Sequence, residues 1–196
     1  MGFHVSTLHN LPIGHIEYFV HVLDMSDGAH SRWINENLHA LASSFGRNAG
    51  LVTGPRDLSE ELYRFLSQNL ASGFGAVEGV LHATTCLVIS EGHLANTDRP
   101  VYLIPIATPG ATEEARELIV TLLGMIAESL RNSQLEKLVS SLGAQELELS
   151  SAGGGFWVCN LRRLNNMLEL KPNVAGLGVN LNAIIESSLP PAVRPI

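Results

Sequence analysis

The stretch that decides the fold class is residues 100–148, which read PVYLIPIATPG ATEEARELIV TLLGMIAESL RNSQLEKLVS SLGAQELE. Residues 101–106 form an apolar run with the length of a buried strand, and Pro105 predicts an edge strand or the end of the strand. Thr112 precedes two glutamates, a pattern that predicts the start of a long amphipathic helix. Residues 133–136, SQLE, have the spacing of a capping box and predict a second helix. The stretch therefore predicts a strand followed by two helices.

Strands and helices also alternate ahead of this stretch. Apolar runs and helical spacings predict, in order, a strand at 16–23, a helix at 34–45, a strand at 49–53, a helix from Asp57 and a strand at 84–90. Asp57 and Glu60 have the spacing of a capping box at the start of their helix. The alternation favours a layered α/β fold, in which helices flank a mixed, mostly parallel sheet.

A run of three glycines, Gly153–Gly155, marks the expected domain boundary. Residues 1–151 are predicted to form the α/β domain, and residues 152–196 a C-terminal arm that packs on the domain or on a partner. Gly176-x-Gly178 in this arm is not a dinucleotide fingerprint, because such a fingerprint needs a preceding strand and a later acidic residue in a βαβ unit.

The bulk composition narrows the possible partners. The chain has 196 residues, of which 45% are hydrophobic and 16% charged, and its net charge is -7. A negative net charge without a basic cluster argues against nucleic-acid binding. An apolar surplus usually goes into the core, but it can also form an oligomer interface, and we expect a homo-oligomer or a protein partner.

The cysteines and the hydropathy pattern predict a cytoplasmic protein. Cys86 and Cys159 both lie in apolar runs and are expected to be buried free thiols in a reducing compartment, with a disulfide as the alternative. The longest apolar run, near residues 118–127, is much shorter than the roughly 20 residues that cross a bilayer. No basic and then apolar segment opens the chain, so we expect neither a signal peptide nor membrane insertion.

Histidines are concentrated near the start of the chain, where six of the eight precede residue 40. On an extended strand His15, Glu17 and His21 would point to one face, and two histidines with a carboxylate can hold a divalent metal. Metal sites usually take ligands from several elements, so we favour histidines with ordinary hydrogen-bond partners. We expect no metal and no cofactor.

Asp24 and Asp27 follow the predicted strand at 16–23 and are candidate ligand-binding residues. In open α/β sheets ligands bind beyond the carboxyl ends of the strands, where acidic side chains can hold Mg²⁺ or position a nucleophile. The Asp-x-Asp-Gly pattern of haloacid dehalogenases does not fit, because Asp24-Met-Ser-Asp27-Gly28 is one residue longer. An ordinary Asp-Gly turn is the alternative interpretation.

Three further candidate residues also follow predicted strands. Arg56 lies in the Gly-Pro turn before a helix, where it could help to bind an anion, although Asp57 competes for that position. Glu91 and His93 follow the strand at 84–90, and His93 is a conceivable acid or base. We expect these residues and the two aspartates to share the carboxyl edge of the sheet.

No complete catalytic motif is found in the sequence. It has no GxSxG, no P-loop, no CxxC pair and no HExxH, so no catalytic residue can be assigned.

Residues 99–109, RPVYLIPIATP, with the helices that follow through Leu142, resemble part of the EIIA domains of the mannitol, fructose and nitrogen type from the bacterial phosphotransferase system. These domains have an apolar strand that ends in a small-residue–Pro turn, then a long helix and a short one. The related cytoplasmic domains of anion exchangers lack phosphotransfer.

The family's phosphorylated histidine, which follows a proline, has no counterpart here. The chain contains no Pro-His dipeptide, and the region of the family's second histidine reads Ala115-Arg116-Glu117. The resemblance therefore implies a non-catalytic relative, and it transfers no functional residue.

Three hypotheses for function follow from these observations. The first is a non-enzymatic regulatory or protein-interaction module of a bacterial cytoplasmic system that self-associates. The second is a small-molecule or nucleotide-binding sensor or enzyme that uses the carboxyl edge of the sheet. The third is a histidine phosphotransfer domain.

Overall fold

The structure, a computed structural model, describes residues 1–12, 14–26, 28–70, 74–94, 99–106, 112–142, 145–147 and 156–158. The predictions for Asp27, for Cys159 and for the arm other than residues 156–158 therefore lie outside the described residues.

The described residues form seven strands and six α-helices. The strands are β1 (Gly2–His4), β2 (Tyr18–Leu23), β3 (Ala49–Thr53), β4 (Thr85–Glu91), β5 (Val101–Ile106), β6 (Gln145–Leu147) and β7 (Phe156–Val158). The helices are α1 (Ala29–Glu36), α2 (Leu38–Ala42), α3 (Arg56–Asn69), α4 (Phe74–Ala83), α5 (Glu113–Arg131) and α6 (Leu135–Ser141), with 3₁₀ turns at Leu8–Asn10 and Ser43–Phe45. None of these helices is long and apolar enough to span a membrane.

The strands form one mixed sheet in the order β1-β3-β2-β4-β5-β7-β6. Strands β1, β2, β3, β5 and β7 run in one direction, and β4 and β6 run in the other. The predicted α/β fold with a mixed sheet is confirmed. Strand β4 is antiparallel to both of its neighbours, β2 and β5, and this orientation decides the position of two predicted site residues.

Helices cover both faces of the sheet, because side chains along a strand point alternately to its two faces. Val20 and Val22 of β2 belong to one core, which packs against α1, α2, α5 and α6. Phe19 and Leu23 belong to the other, which packs against α3 and α4. Leu8 adds to this second core from outside the sheet and is itself buried. Burial on both faces explains why the central strands are continuously apolar.

The start of α5 confirms the predicted cap. The side-chain oxygen of Thr112 accepts a hydrogen bond from the backbone N–H of Ala115 at 3.2 Å, and Glu113 and Glu114 lie in the first turn. The second predicted cap is wrong: α6 begins after Gln134 without a side-chain cap, and Ser133 has a φ of 52°. Ser133 takes this left-handed conformation because the chain turns sharply between the two helices.

The capping box predicted at Asp57 is also wrong. Helix α3 begins one residue earlier, after Pro55, and no side chain caps it. Glu60 instead accepts a hydrogen bond from the guanidinium of Arg56 at 3.1 Å. The helix expected at 34–45 is broken at Asn37, whose φ of -107° and ψ of 13° separate α1 from α2.

Strand β7 belongs to the sequence predicted as the arm, yet it pairs with the sheet of the domain. Its three residues are in parallel register with Val101, Tyr102 and Leu103 of β5. Pro105 lies beyond this register and pairs only with Cys86 of β4 among the described strands. Pro105, which has no N–H to donate, therefore lies where the described part of β5 pairs on one side.

Candidate functional site

The carboxyl ends of β2 and β3 form a topological switch point. The two strands are adjacent and parallel, yet β2 continues into α1 on one face of the sheet, and β3 continues into α3 on the other. Ligands of open α/β sheets bind where neighbouring connections leave to opposite faces. Asp24 follows β2 at this point, and Arg56 follows β3, so the structure places these two predicted site residues at the same edge.

Asp24 lies at the centre of a hydrogen-bond network, and it is only 4% exposed. Its Oδ1 accepts from the N–H and the hydroxyl of Ser26 at 2.9 and 2.7 Å. Its Oδ2 accepts from the N–H of Gly28 at 2.8 Å and from the hydroxyl of Thr85 at 3.1 Å. Its own N–H donates to the hydroxyl of Ser59 at 3.1 Å. The residue thus connects β2 with α1, α3 and β4.

These contacts keep Asp24 ionised. Burial acts to raise the pKa of Asp24, but the hydroxyls of Ser26 and Ser31 and the backbone N–H groups of Ser26 and Gly28 outweigh it, so the pKa lies below the usual value. A carboxylate with hydrogen-bond donors on both oxygens is held as an anion. A carboxylate has about four lone-pair positions, and the hydrogen bonds from Ser26, Gly28 and Thr85 occupy them. Little capacity is left for a metal or a substrate.

At the switch point, the end of β3 packs closely against the end of β1. The ring Nδ1 of His4 lies 3.4 Å from the side-chain oxygen of Thr53, which is buried. Gly54 follows directly, and a Cβ at this position would lie 2.1 Å from the carbonyl oxygen of Val5. Arg56 points into solvent, where it pairs with Glu60. The Gly54 position therefore lets β1 and the turn after β3 approach each other closely.

Glu91 and His93 do not join Asp24 at this edge, which corrects the expected convergence. Strand β4 is antiparallel to β2, so Tyr18 at the start of β2 pairs with Glu91, and Leu23 at its end pairs with Cys86. Five residue steps separate the two ends, about 17 Å at roughly 3.4 Å per residue. The carboxyl end of β4 therefore lies at the opposite edge of the sheet.

At that opposite edge both candidate residues have internal contacts. Arg99 donates from its guanidinium to Glu91 at 2.9 Å. The Nε2 of His93 lies 3.0 Å from the carbonyl oxygen of Leu8, so this nitrogen carries the proton of the hydrogen bond. The first contact joins the end of β4 to the segment ahead of β5, and the second joins the segment after β4 to the 3₁₀ turn at Leu8–Asn10.

The geometry expected for a metal site in the N-terminal region is not present. His15 and Glu17 precede β2 instead of lying on it, and both are exposed, whereas His21 lies within β2 and is fully buried. Over the described part of the chain, no three His, Cys, Asp or Glu side chains are grouped closely enough to hold a metal ion.

The sequence interpretation missed Ser59 and Thr85, the buried polar partners of Asp24. Thr85 opens β4 ahead of the apolar residues 86–89, and Ser59 is a buried serine on the apolar face of α3. A hydroxyl in a buried position is a signal that some partner lies nearby, because buried polar groups need hydrogen bonds. The sequence gives no means of identifying that partner.

Comparison with known proteins found no protein-family model, no curated protein and no solved structure that matches the chain. The geometry of the described residues therefore carries the functional interpretation.

Proposed function

We propose that the protein is a non-enzymatic regulatory or protein-interaction module of a bacterial cytoplasmic system, and that it self-associates. The proposal rests on the hydrogen bonds that the carboxylate of Asp24 accepts from the protein. A catalytic or metal-binding carboxylate needs a lone pair that faces its substrate or metal, and here protein donors fill both oxygens. The residue has the contacts of a structural anchor.

The separation of the other candidates supports the same conclusion. Reacting groups must come within hydrogen-bond reach of one substrate. Arg56 and Glu91 are each engaged in an ion pair on a different edge of the sheet, and both pairs are exposed to solvent. Exposed pairs of this kind contribute little energy and are common on protein surfaces.

The apolar composition and the ends of the sheet support self-association. Hydrophobic residues make up 45% of the chain, and an apolar composition can supply an interface as well as a core. Strands β1 and β6 are the outermost strands described, and an edge strand offers unpaired N–H and C=O groups to another chain. The acidic net charge of -7 fits a protein partner better than a nucleic acid.

A cytoplasmic location fits the state of Cys86. Its thiol is free and fully buried in β4, and burial raises its pKa to about 12. Such a thiol is inert, and free thiols are typical of a reducing compartment.

Light scattering after size exclusion tests the self-association of the full chain over a wide range of concentrations. We expect a mass of at least two chains that falls on dilution. A matched chain that ends at residue 160 keeps every strand that the structure describes, and it tests the role of the C-terminal arm. A full chain that is monomeric at every concentration, and that retains no protein from a lysate, would contradict the proposal.

Ligand binding at the switch point is the alternative, and the topology favours it. The connections after β2 and β3 diverge there, which is the position that open α/β sheets use for ligands. A thermal-shift screen of nucleotides and sugar phosphates tests this function with Arg56→Gln, using Arg64→Gln on the exposed side of α3 as the control. Stabilisation that only Arg56→Gln abolishes would favour the alternative over a purely structural edge.

A non-catalytic relative of the EIIA domains remains our proposal for the family. The order of β5, α5 and α6 is the order that the resemblance of residues 99–142 implies. Absence of ³²P transfer to the chain from general phosphotransferase components, together with retained protein binding, is the result expected of such a relative.

A further inference from the structure

His21 is a buried titratable side chain that the proposed function does not use. It is 0% exposed, and neither of its ring nitrogens has a hydrogen-bond partner in the described structure. Its neighbours in register, Val52 and Val88, are completely buried, and the ring of Phe19 lies 6.0 Å away between centroids. A polar ring in such surroundings is costly, since its nitrogens lose the hydrogen bonds that they make to water.

Residues 7–11, which we call the strap, lie between β1 and β2. They cover part of the core between the sheet and α3 and α4, the face of β2 to which Phe19 and His21 both point. Leu8 and Leu11 of the strap are 5% and 3% exposed and belong to the core of α3 and α4. The strap contains the 3₁₀ turn and lies outside the sheet. Its own backbone bonds are two, from Asn10 to Thr7 and from Leu11 to Leu8, both at 3.2 Å.

Titratable side chains hold both backbone groups of Leu8. The carboxylate of Glu61 on α3 accepts from the N–H of Leu8 at 2.8 Å, and the ring of His93 bonds its carbonyl oxygen at 3.0 Å. The ring of His9, which is exposed, lies 3.6 Å from the carboxylate of Glu61. The strap is therefore fastened by polar side chains from α3 and from the segment after β4.

His93 connects the strap with His21. The same ring that bonds Leu8 is close enough for its charge to disfavour protonation of His21, and among the described residues it is the group that acts on His21 in this way. Burial, the larger effect, and this repulsion together lower the pKa of His21 to about 3. In water the ring would titrate near its usual value of about 6.5.

We propose that the strap is an acid-sensitive cover, which opens locally when His21 takes up a proton and thereby exposes the core face beneath Leu8 and Leu11. Opening gives the ring of His21 access to water, and it removes His93 from its contact with Leu8. The proton is taken from solvent and no bond of the chain breaks. The strap opens before the sheet does, because it has few backbone bonds of its own and only two buried leucines.

Hydrogen exchange on the full-length chain tests the proposal through the amides of Leu8, Asn10 and Leu11. Their opening constant, corrected for intrinsic exchange, should be about 30-fold larger at about pH 5 than at about pH 7.5. The amides of Val20 and Leu87, in the central strands, should keep a much larger free energy of opening.

The variant His21→Leu replaces the ring with an apolar side chain of similar size and should abolish this pH response. His15→Leu, at an exposed position ahead of β2, is the matched control and should retain it. A strap that stays closed at about pH 5, a response that survives His21→Leu, or equal opening of strap and central strands would each overturn the proposal. The first and third of these outcomes are measured on the unmodified chain, so they remain decisive should His21→Leu fail to fold.

Discussion

The hydroxyl of Thr85 donates a hydrogen bond of 3.1 Å to the carboxylate of Asp24, across 61 positions of sequence. The contact joins the first residue of β4 to the residue that follows β2. The two residues can reach each other because β2 and β4 are antiparallel neighbours, which places the end of β2 beside the start of β4. The buried edge of the sheet is therefore closed by a polar network, with the carboxylate at its centre.

Replacement of Asp24 by Asn should destabilise the fold by roughly 1–3 kcal/mol, because its new amide group would face donors that are already in place. Urea unfolding at neutral pH measures the loss. Asp57→Asn, at an exposed position in the first turn of α3, is the matched control and should change stability by much less. Equal losses in the two variants would contradict a structural role of the Asp24 network.

The Asp24 pKa also predicts the direction of an acid effect. A carboxyl group whose pKa is lower in the folded than in the unfolded state contributes stability above its unfolded pKa. That contribution is lost as the pH falls from about 4 through the folded value. Asp24→Asn should therefore lower stability most at neutral pH, and the difference from the unmodified protein should shrink in acid.

Protonation of His21 acts in a separate and higher pH range. Its folded pKa of about 3 lies below the unfolded value of 6.5, so the unfolded chain binds the proton first as the pH falls. Stability should be complete above about pH 6.5 and lower by about 2 kcal/mol at pH 5, at 1.36 kcal/mol per pH unit. Urea unfolding over this range should show the fall in the unmodified protein, and His21→Leu should remove it.

This measurement differs from the hydrogen-exchange test of the strap. A buried neutral histidine destabilises the whole fold in acid even if the strap remains closed. A fall in global stability without faster exchange at Leu8, Asn10 and Leu11 would support the linkage and reject the acid-sensitive cover.

Substitution by alanine should have opposite effects on stability at Gly54 and at Gly124. Gly54→Ala should destabilise the protein by about 2 kcal/mol or more, because the new Cβ would overlap the backbone carbonyl of Val5 and the chain would have to move. Gly124→Ala, within α5, meets no atom within 4 Å and should stabilise by about 0.5–1 kcal/mol. Thermal unfolding of both variants checks the prediction, and a shift of the same sign in both would show that the close approach at Gly54 is not decisive.

The residues that flank the two ends of α5 make a similar pair. Thr112→Ala removes the hydroxyl that caps α5 and should cost about 1 kcal/mol. Ser133→Gly relieves a left-handed backbone conformation and should gain about 1 kcal/mol. The expected order in chemical denaturation is Ser133→Gly, the unmodified chain, then Thr112→Ala, and a destabilised Ser133→Gly would contradict this interpretation of the turn.

Local sequence patterns determined most of the elements. The apolar runs at 49–53 and 101–106 are strands with the bounds that the pattern predicts, and Thr112 caps α5 as expected. These features depend on burial and on hydrogen bonds within a few residues, so they can be read along the chain. Residues 2–4 were missed as a strand, since so short a segment becomes one only by pairing with β3.

Only the tertiary structure decided which candidate residues meet. The direction of β4 relative to β2 depends on packing between distant segments, and that direction separates Glu91 and His93 from Asp24. The same distant pairing brings Thr85 and Ser59 to Asp24, and it buries His21 without a hydrogen-bond partner among the described residues. Side-chain patterns extend over a few residues, whereas strand order and direction are set by contacts across the whole domain. The polar groups could therefore be identified from the sequence, but their partners were determined by the fold.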